Sequence, residues 1–155
     1  MIERRPVTAG LKALLAELTG RPVGVRTVPL TATGAPVEPP YTLLYPLDDA
    51  DDDNTLADNN KAMVSDYQAT FVSGPLPGHP DSRGGDEQAQ WMADRGRKVV
   101  ERPADGSPGY AHPLGVGPGV NCWRREARGV GGTSEANDAI ITSVIRFRLY
   151  LETSP

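Results

Sequence analysis

Cysteine is almost missing from this chain of 155 residues: Cys122 is the only one. A single thiol forms no intramolecular disulfide, so cysteine usage gives no sign of an oxidising compartment. Long apolar runs are also missing. No window approaches the roughly 20 apolar residues of a membrane span. The opening MIERRPVTAG has no apolar run behind its arginines and lacks the shape of a signal peptide. The expectation is a soluble protein made inside the cell. A basic excess is absent as well. Sixteen Lys and Arg stand against 20 Asp and Glu, a net charge of −4, the opposite of a general nucleic-acid binder.

Signatures of chemistry are missing in turn. The chain has no G-x-S-x-G, no H-E-x-x-H and no C-x-x-C. GVGPGV (115–120) is interrupted by Pro118 with no helix after it, and GVGGTSE (129–135) lacks a strand–turn–helix setting. Without a Walker lysine neither cradles phosphate, and both read as connectors. His79 and His112 stand in the turn contexts GHP and AHP, away from any cysteine-hydrolase pattern. A lone cysteine on an alternating strand is more often a small buried residue. The expectation is a protein that is not an enzyme and holds no cofactor or structural metal.

Loop-forming residues, by contrast, are plentiful. Gly (17) and Pro (15) make up about a fifth of the chain, while aromatics are only 6%. This points to long connections around a lean core. VTAGLKALLAEL (7–18) spaces Val7, Leu11, Leu14, Leu15 and Leu18 as one helical stripe. Pro6 suits its start, Gly20 its left-handed stop, and Pro22 bars continuation. A short strand is expected within 22–30 and another at 41–47. AMVSDYQATFVSG alternates with period two, placing Met63, Ser65, Tyr67, Ala69 and Phe71 on one face. DEQAQWMADRGRKVVER (86–102) is a second helix with the stripe Ala89, Met92, Ala93, Gly96, Val99 and Val100. Gly96 there permits close approach to a sheet. GVNCWRREARG (119–129) reads as a strand with Val120, Cys122 and Arg124 opposite Asn121, Trp123 and Arg125. In the long terminal strand of 139–152, Ile141, Ser143, Ile145, Phe147, Leu149 and Leu151 share a face. The order α, β, β, β, α, β, β implies one α+β domain. Its sheet, mostly antiparallel or mixed, has four to five strands, and both helices cover one face. Loops are expected near 46–62, 74–85, 103–118 and 129–138.

The densest charge is in LDDADDDNTLADNN (47–60), which holds Asp48, Asp49, Asp51, Asp52, Asp53 and Asp58 and no Lys or Arg. Asp49, Asp51 and Asp53 match the opening D-x-D-x-D of a calcium loop. The sixth and twelfth positions, where Gly and Glu belong, hold Asn54 and Asn60. A solvated acidic hairpin tip fits better. A small metal-dependent enzyme using Asp48–Asp53 stays as the alternative from another class. The opposite sign gathers in Arg124, Arg125 and Arg128 beside Trp123, with Arg146 and Arg148 on the last strand. Such residues suit the rim of an acidic partner, including another copy of the chain.

Several segments in order carry a resemblance: the first amphipathic helix, PPYTLLYPL, TLADNNKAMVSDYQATFVSG, EQAQWMADRGRKVV, NCWRREARG and ITSVIRFRLYLE. Together they resemble the tail terminator proteins of long-tailed, siphovirus-like phages, those of actinobacteria in particular. The resemblance spans nearly the whole chain, and DYQATFVSG and EQAQWMADRGRKVV are its most specific parts. It implies a virion protein at the head–tail junction, a hexameric ring that caps the tail tube and ends its polymerisation. Its partners would be copies of itself, the major tail-tube protein and the head–tail connector or stopper. Genomic DNA would pass through the lumen without sequence-specific binding. The resemblance carries no catalytic residues. It leaves Asp48, Asp49, Asp51, Asp52 and Asp53 as lumen or subunit contacts, and Trp123, Arg124, Arg125, Arg128, Arg146 and Arg148 as a subunit or tube interface. The alternatives of the same class are a stopper or adaptor at the head–tail joint, or the tail-tube protein.

Overall fold

The leucine stripe folds as expected. In this computed structural model, which describes residues 2–52, 62–74, 85–132 and 140–154 (backbone only for 48–52 and 86), helix α1 spans Arg4–Thr19 and buries Val7, Leu11, Leu14, Leu15 and Leu18. It begins two residues before Pro6. The ring is tolerated there because N–H groups of a first turn have no intrahelical acceptor. Gly20 ends the helix in the left-handed region at φ 65°, its N–H donating to the Ala16 carbonyl at 2.9 Å.

Strand β1, Val23–Val25, is shorter than the 22–30 segment suggested. It runs parallel to β2, Tyr41–Asp52. It stops because Arg26 takes φ 61°, a conformation that leaves the pleat. β2 pairs antiparallel with β3, Ala62–Ser73, and runs through Pro46 to Asp52, past the 41–47 segment the sequence suggested. The register slips between Pro46 and Asp49 and then resumes with Asp49 opposite Ser65, Asp51 opposite Met63 and Asp52 opposite Ala62. A bulge absorbs the proline, which has no N–H for a ladder.

Helix α2, Asp86–Arg97, continues as a single 3-10 turn over Lys98–Val100. Its buried residues Ala89, Met92 and Ala93, with Val99 beyond, are those of the sequence stripe. A Cβ on Gly96 would fall inside the envelope of the fully buried Phe71 ring, so glycine at this position lets α2 lie directly on the sheet. β4, Val120–Gly131, and β5, Ile141–Thr153, complete five strands in the order β1-β2-β3-β5-β4. All neighbours except β1 and β2 are antiparallel.

The core lies on one side of this open, mixed sheet. Tyr67, Ala69 and Phe71 of β3 and Ile145, Phe147, Leu149 and Leu151 of β5 meet the leucines of α1 and Met92 of α2 in one cluster. Tyr67 bonds the Thr8 hydroxyl of α1 at 2.9 Å, and Phe71 lies under Gly96 of α2. Both helices therefore cover the same face, as the element order suggested. Arg95 of α2 donates to the Leu18 carbonyl at 2.9 Å and ties the helices together. No helix among the described residues is long and apolar enough to cross a membrane.

Candidate interaction surface

The face of the sheet opposite the helices carries the charge. Along β3 it presents Val64, Asp66, Gln68 and Thr70, and along β5 Val144, Arg146, Arg148 and Tyr150, each paired across the ladder. β4 adds Arg124, Glu126 and Arg128 opposite Tyr150, Arg148 and Arg146. Alternation on neighbouring strands thus gathers residues more than 80 positions apart.

Most of these charges are answered locally. Arg148 grips Asp66 as a fork, Nε to Oδ1 at 2.8 Å and Nη2 to Oδ2 at 3.0 Å. That hydrogen bonding holds the Arg148 pKa above its ordinary value, and the guanidinium stays charged. Glu126 takes an ion pair from Arg124 at 2.7 Å and a hydrogen bond from the Tyr150 hydroxyl at 3.3 Å. Trp123, half exposed, tilts against the Tyr150 ring with centroids 5.3 Å apart, and Arg124 lies over the same ring at 5.3 Å.

Arg128 and Arg146 are different. They face each other across the β4–β5 ladder, both exposed, and neither has an ion-pair partner among the described residues. Like charges directly opposite one another destabilise a sheet. Beside them the β2 bulge opens a basin of about 570 Å³ lined by Arg4, Arg26, Pro46, Leu47, Asp66 and Arg146. A second hollow shares Leu47, Asp66 and Arg146 and reaches Arg128. Arg4 donates to the Asp66 carbonyl at 3.1 Å, and Arg26 to the Pro46 carbonyl at 2.7 Å. Both bonds go to backbone.

Arg125 belongs to the interior. The sequence alternation put it with Trp123, away from Cys122. A register shift between Cys122 and Arg124 moves it to the helix-covered side instead. It is 9% exposed and donates to the Val99 carbonyl at 2.9 Å and the His112 carbonyl at 2.7 Å. Its backbone N–H donates to the Tyr110 hydroxyl at 2.7 Å. Arg125 and Arg102 both stack on the Tyr110 ring, at 4.4 and 4.1 Å. Burial pulls the Arg125 pKa down and pushes that of the Cys122 thiol up. Cys122, half-buried, is a neutral packing residue.

Within the described residues the acidic run is strand. Asp48, Asp49, Asp51 and Asp52 lie in the extended β2 backbone, and Asp53 falls outside the described residues with Asp58. A calcium loop opening at Asp49 needs a backbone that coils around the ion, whereas residues 49–52 are paired with β3. Asp52 is opposite Ala62, which on its other side pairs with the exposed Glu152 of β5. Sequence reasoning missed Arg4, Arg26 and Asp66. The Asp66–Arg148 pair could be guessed from two alternating strands, but the left-handed Arg26 leaves no sequence signal.

No protein-family model matches the chain, and no curated protein does. Among solved structures, a chain in the virion of a native gene transfer agent particle is similar over 96% of both chains, with a TM-score of 0.55 and 19% sequence identity. At that identity the likeness is one of fold.

Proposed function

We propose that this chain is a structural protein of a phage-like virion, and specifically a tail-terminator-like subunit. It forms a ring, hexameric as the family resemblance implies, on the head-proximal end of the tail tube. The ring ends tube growth, joins the tail to the head connector and lets DNA pass through its lumen. The observation that carries the reading is the end-to-end fold likeness to a chain of a gene transfer agent virion. The tail-terminator resemblance of the sequence runs the same way. The charged open sheet face suits association with a partner of complementary charge. A stopper or adaptor at the same joint is the second reading, because a virion as a whole contains several joining proteins.

Electron microscopy of the purified protein, and of particles lacking its gene, tests this. Rings of tube width are expected, together with headless, overlong tails in the deletion. Open-ended tubes formed by the protein alone would assign it to the tube instead. Normal-length tails that fail to join heads would favour the stopper. Normal particles without the protein would overturn the virion role.

A further inference from the structure

Among the described residues β4 has a strand on one side only, so its other edge is open. Tyr110 shows which backbone groups face outward there. Its hydroxyl takes the Arg125 N–H at 2.7 Å and donates to the Arg125 carbonyl at 3.4 Å. The register with β5 runs unbroken from Arg125 to Gly129. By alternation, the N–H and C=O of Ala127 and the N–H of Gly129 also point away from β5. Nothing among the described residues bonds them. An unpaired row of backbone donors and acceptors templates pairing with another chain, and proteins usually blunt it. Tyr110 does so at Arg125 and leaves the following stretch bare: Arg128, Gly129 and Val130 are all exposed.

The side chains beside this edge define what suits it. On the charged face Arg148 is taken by Asp66 and Arg124 by Glu126. Arg128 and Arg146 instead oppose each other with no ion pair among the described residues. A carboxylate beside them would relieve that repulsion through charge-assisted hydrogen bonds. On the helix side β4 offers only small residues, Ala127 and Gly129. A Cβ on Gly129 would lie 3.2 Å from Nη2 of Arg97 in α2. A hollow of about 360 Å³ opens there, lined by Arg97, Gly129, Gly131, Ser143 and Val144 among others. We propose that the open edge of β4 at Ala127–Gly129 adds an extended acidic segment of another protein as a further strand, with a carboxylate seated by Arg128 and Arg146.

Strand geometry fixes how such a segment sits. The incoming residue opposite Ala127 exchanges both ladder bonds with it and points to the helix side. The residue opposite Arg128 points to the charged face, on a strand about 4.8 Å from β4, and is the acidic one. The residue opposite Gly129 points into the hollow. The segment is therefore acidic on one face and uncharged on the other, and main-chain bonds add to the charge pairing. Nucleic acid supplies the charge but cannot extend the ladder. A second β4 could extend the ladder antiparallel, but it would set Arg128 against its own copy, like charge against like. The docking needs only the edge and the arginines, so it stands independently of the ring reading.

The test uses the full chain and a labelled, end-blocked heptapeptide, TVEVEVT, followed by fluorescence anisotropy at 50 mM salt. Saturable binding is expected at peptide concentrations up to 1 mM, and at least tenfold weaker binding of TVKVKVT. Methylating the three Val nitrogens removes the N–H groups that face β4 and should weaken binding at least tenfold. Methylating the two Glu nitrogens, which face away, should not. Arg128→Glu with Arg146→Glu should reverse the preference between the two peptides. Gly129→Pro removes an outward N–H that no ladder bond uses and should weaken TVEVEVT binding at least tenfold. Circular dichroism checks that each variant is folded, and the methylated peptides test the ladder on the unaltered protein. No binding of TVEVEVT would overturn the proposal. So would equal binding of the Val-methylated peptide, which would mean charge attraction without a ladder. Self-association that Gly129→Pro abolishes and TVEVEVT cannot displace would assign the edge to a second copy and overturn the acidic partner. A 30-base-pair duplex that binds through Arg128 and Arg146 and excludes the peptide would overturn it too. Peptide binding by a chain that forms no rings would uphold the docking and remove the ring reading.

Discussion

Replacing Arg125 with Met keeps an apolar stem but removes the donor shared by the Val99 and His112 carbonyls. A buried acceptor left without a partner costs about 1–3 kcal/mol, so a loss of about 3 kcal/mol is expected in urea unfolding. Proteolysis should then begin within residues 101–119, which Arg125, Tyr110 and Arg102 hold against β4. Arg125→Lys is not a mild substitute, because an ammonium cannot stack on the Tyr110 ring as the planar guanidinium does. A second expectation concerns Gly96. Its Ala variant gains helix propensity of up to about 1 kcal/mol but drives a methyl into Phe71, a buried ring with no room to retreat. Overpacking of this kind costs about 1–3 kcal/mol, and a net drop in melting temperature of a few degrees should follow. A variant as stable as the parent would show that α2 can lift off the sheet.

Among the elements, those with unbroken periodicity were legible beforehand. α1, α2, β3 and β5 keep one apolar face along their length, and the residues read onto those faces are buried except Val100 and Ser143, which are half-buried. Legibility failed wherever the count slipped. A bulge near Trp123 adds one residue to β4, and every later side chain changes sides, which is how Arg125 came to be misplaced. β2 was cut short at Leu47 because proline and aspartate have poor strand propensity. The ladder with β3 overrides that preference as far as Asp52. The surface was half legible for the same reason. Arg128, Arg146 and Arg148 stand out as cations in the sequence. That Arg148 is already taken by Asp66, and that Arg128 and Arg146 are left facing each other, follows only from strand register.

At the scale of the whole molecule, salt should stabilise the isolated subunit. Within one subunit it screens the repulsion of Arg128 from Arg146 and that among the clustered aspartates. The melting temperature of dilute protein is therefore expected to rise by about 1–2 °C between 20 and 300 mM salt, a few tenths of a kcal/mol for a domain of this size. Strand order has a separate consequence for the timing of folding. β5, which follows β4 in the chain, lies between β3 and β4, and among the described residues β4 has no other strand beside it in the sheet. Until β5 is wedged in, β4 has nothing to pair with and β3 shows a bare edge. The nascent chain thus has no finished sheet to offer another copy, and subunits become competent to join only after synthesis has passed β5.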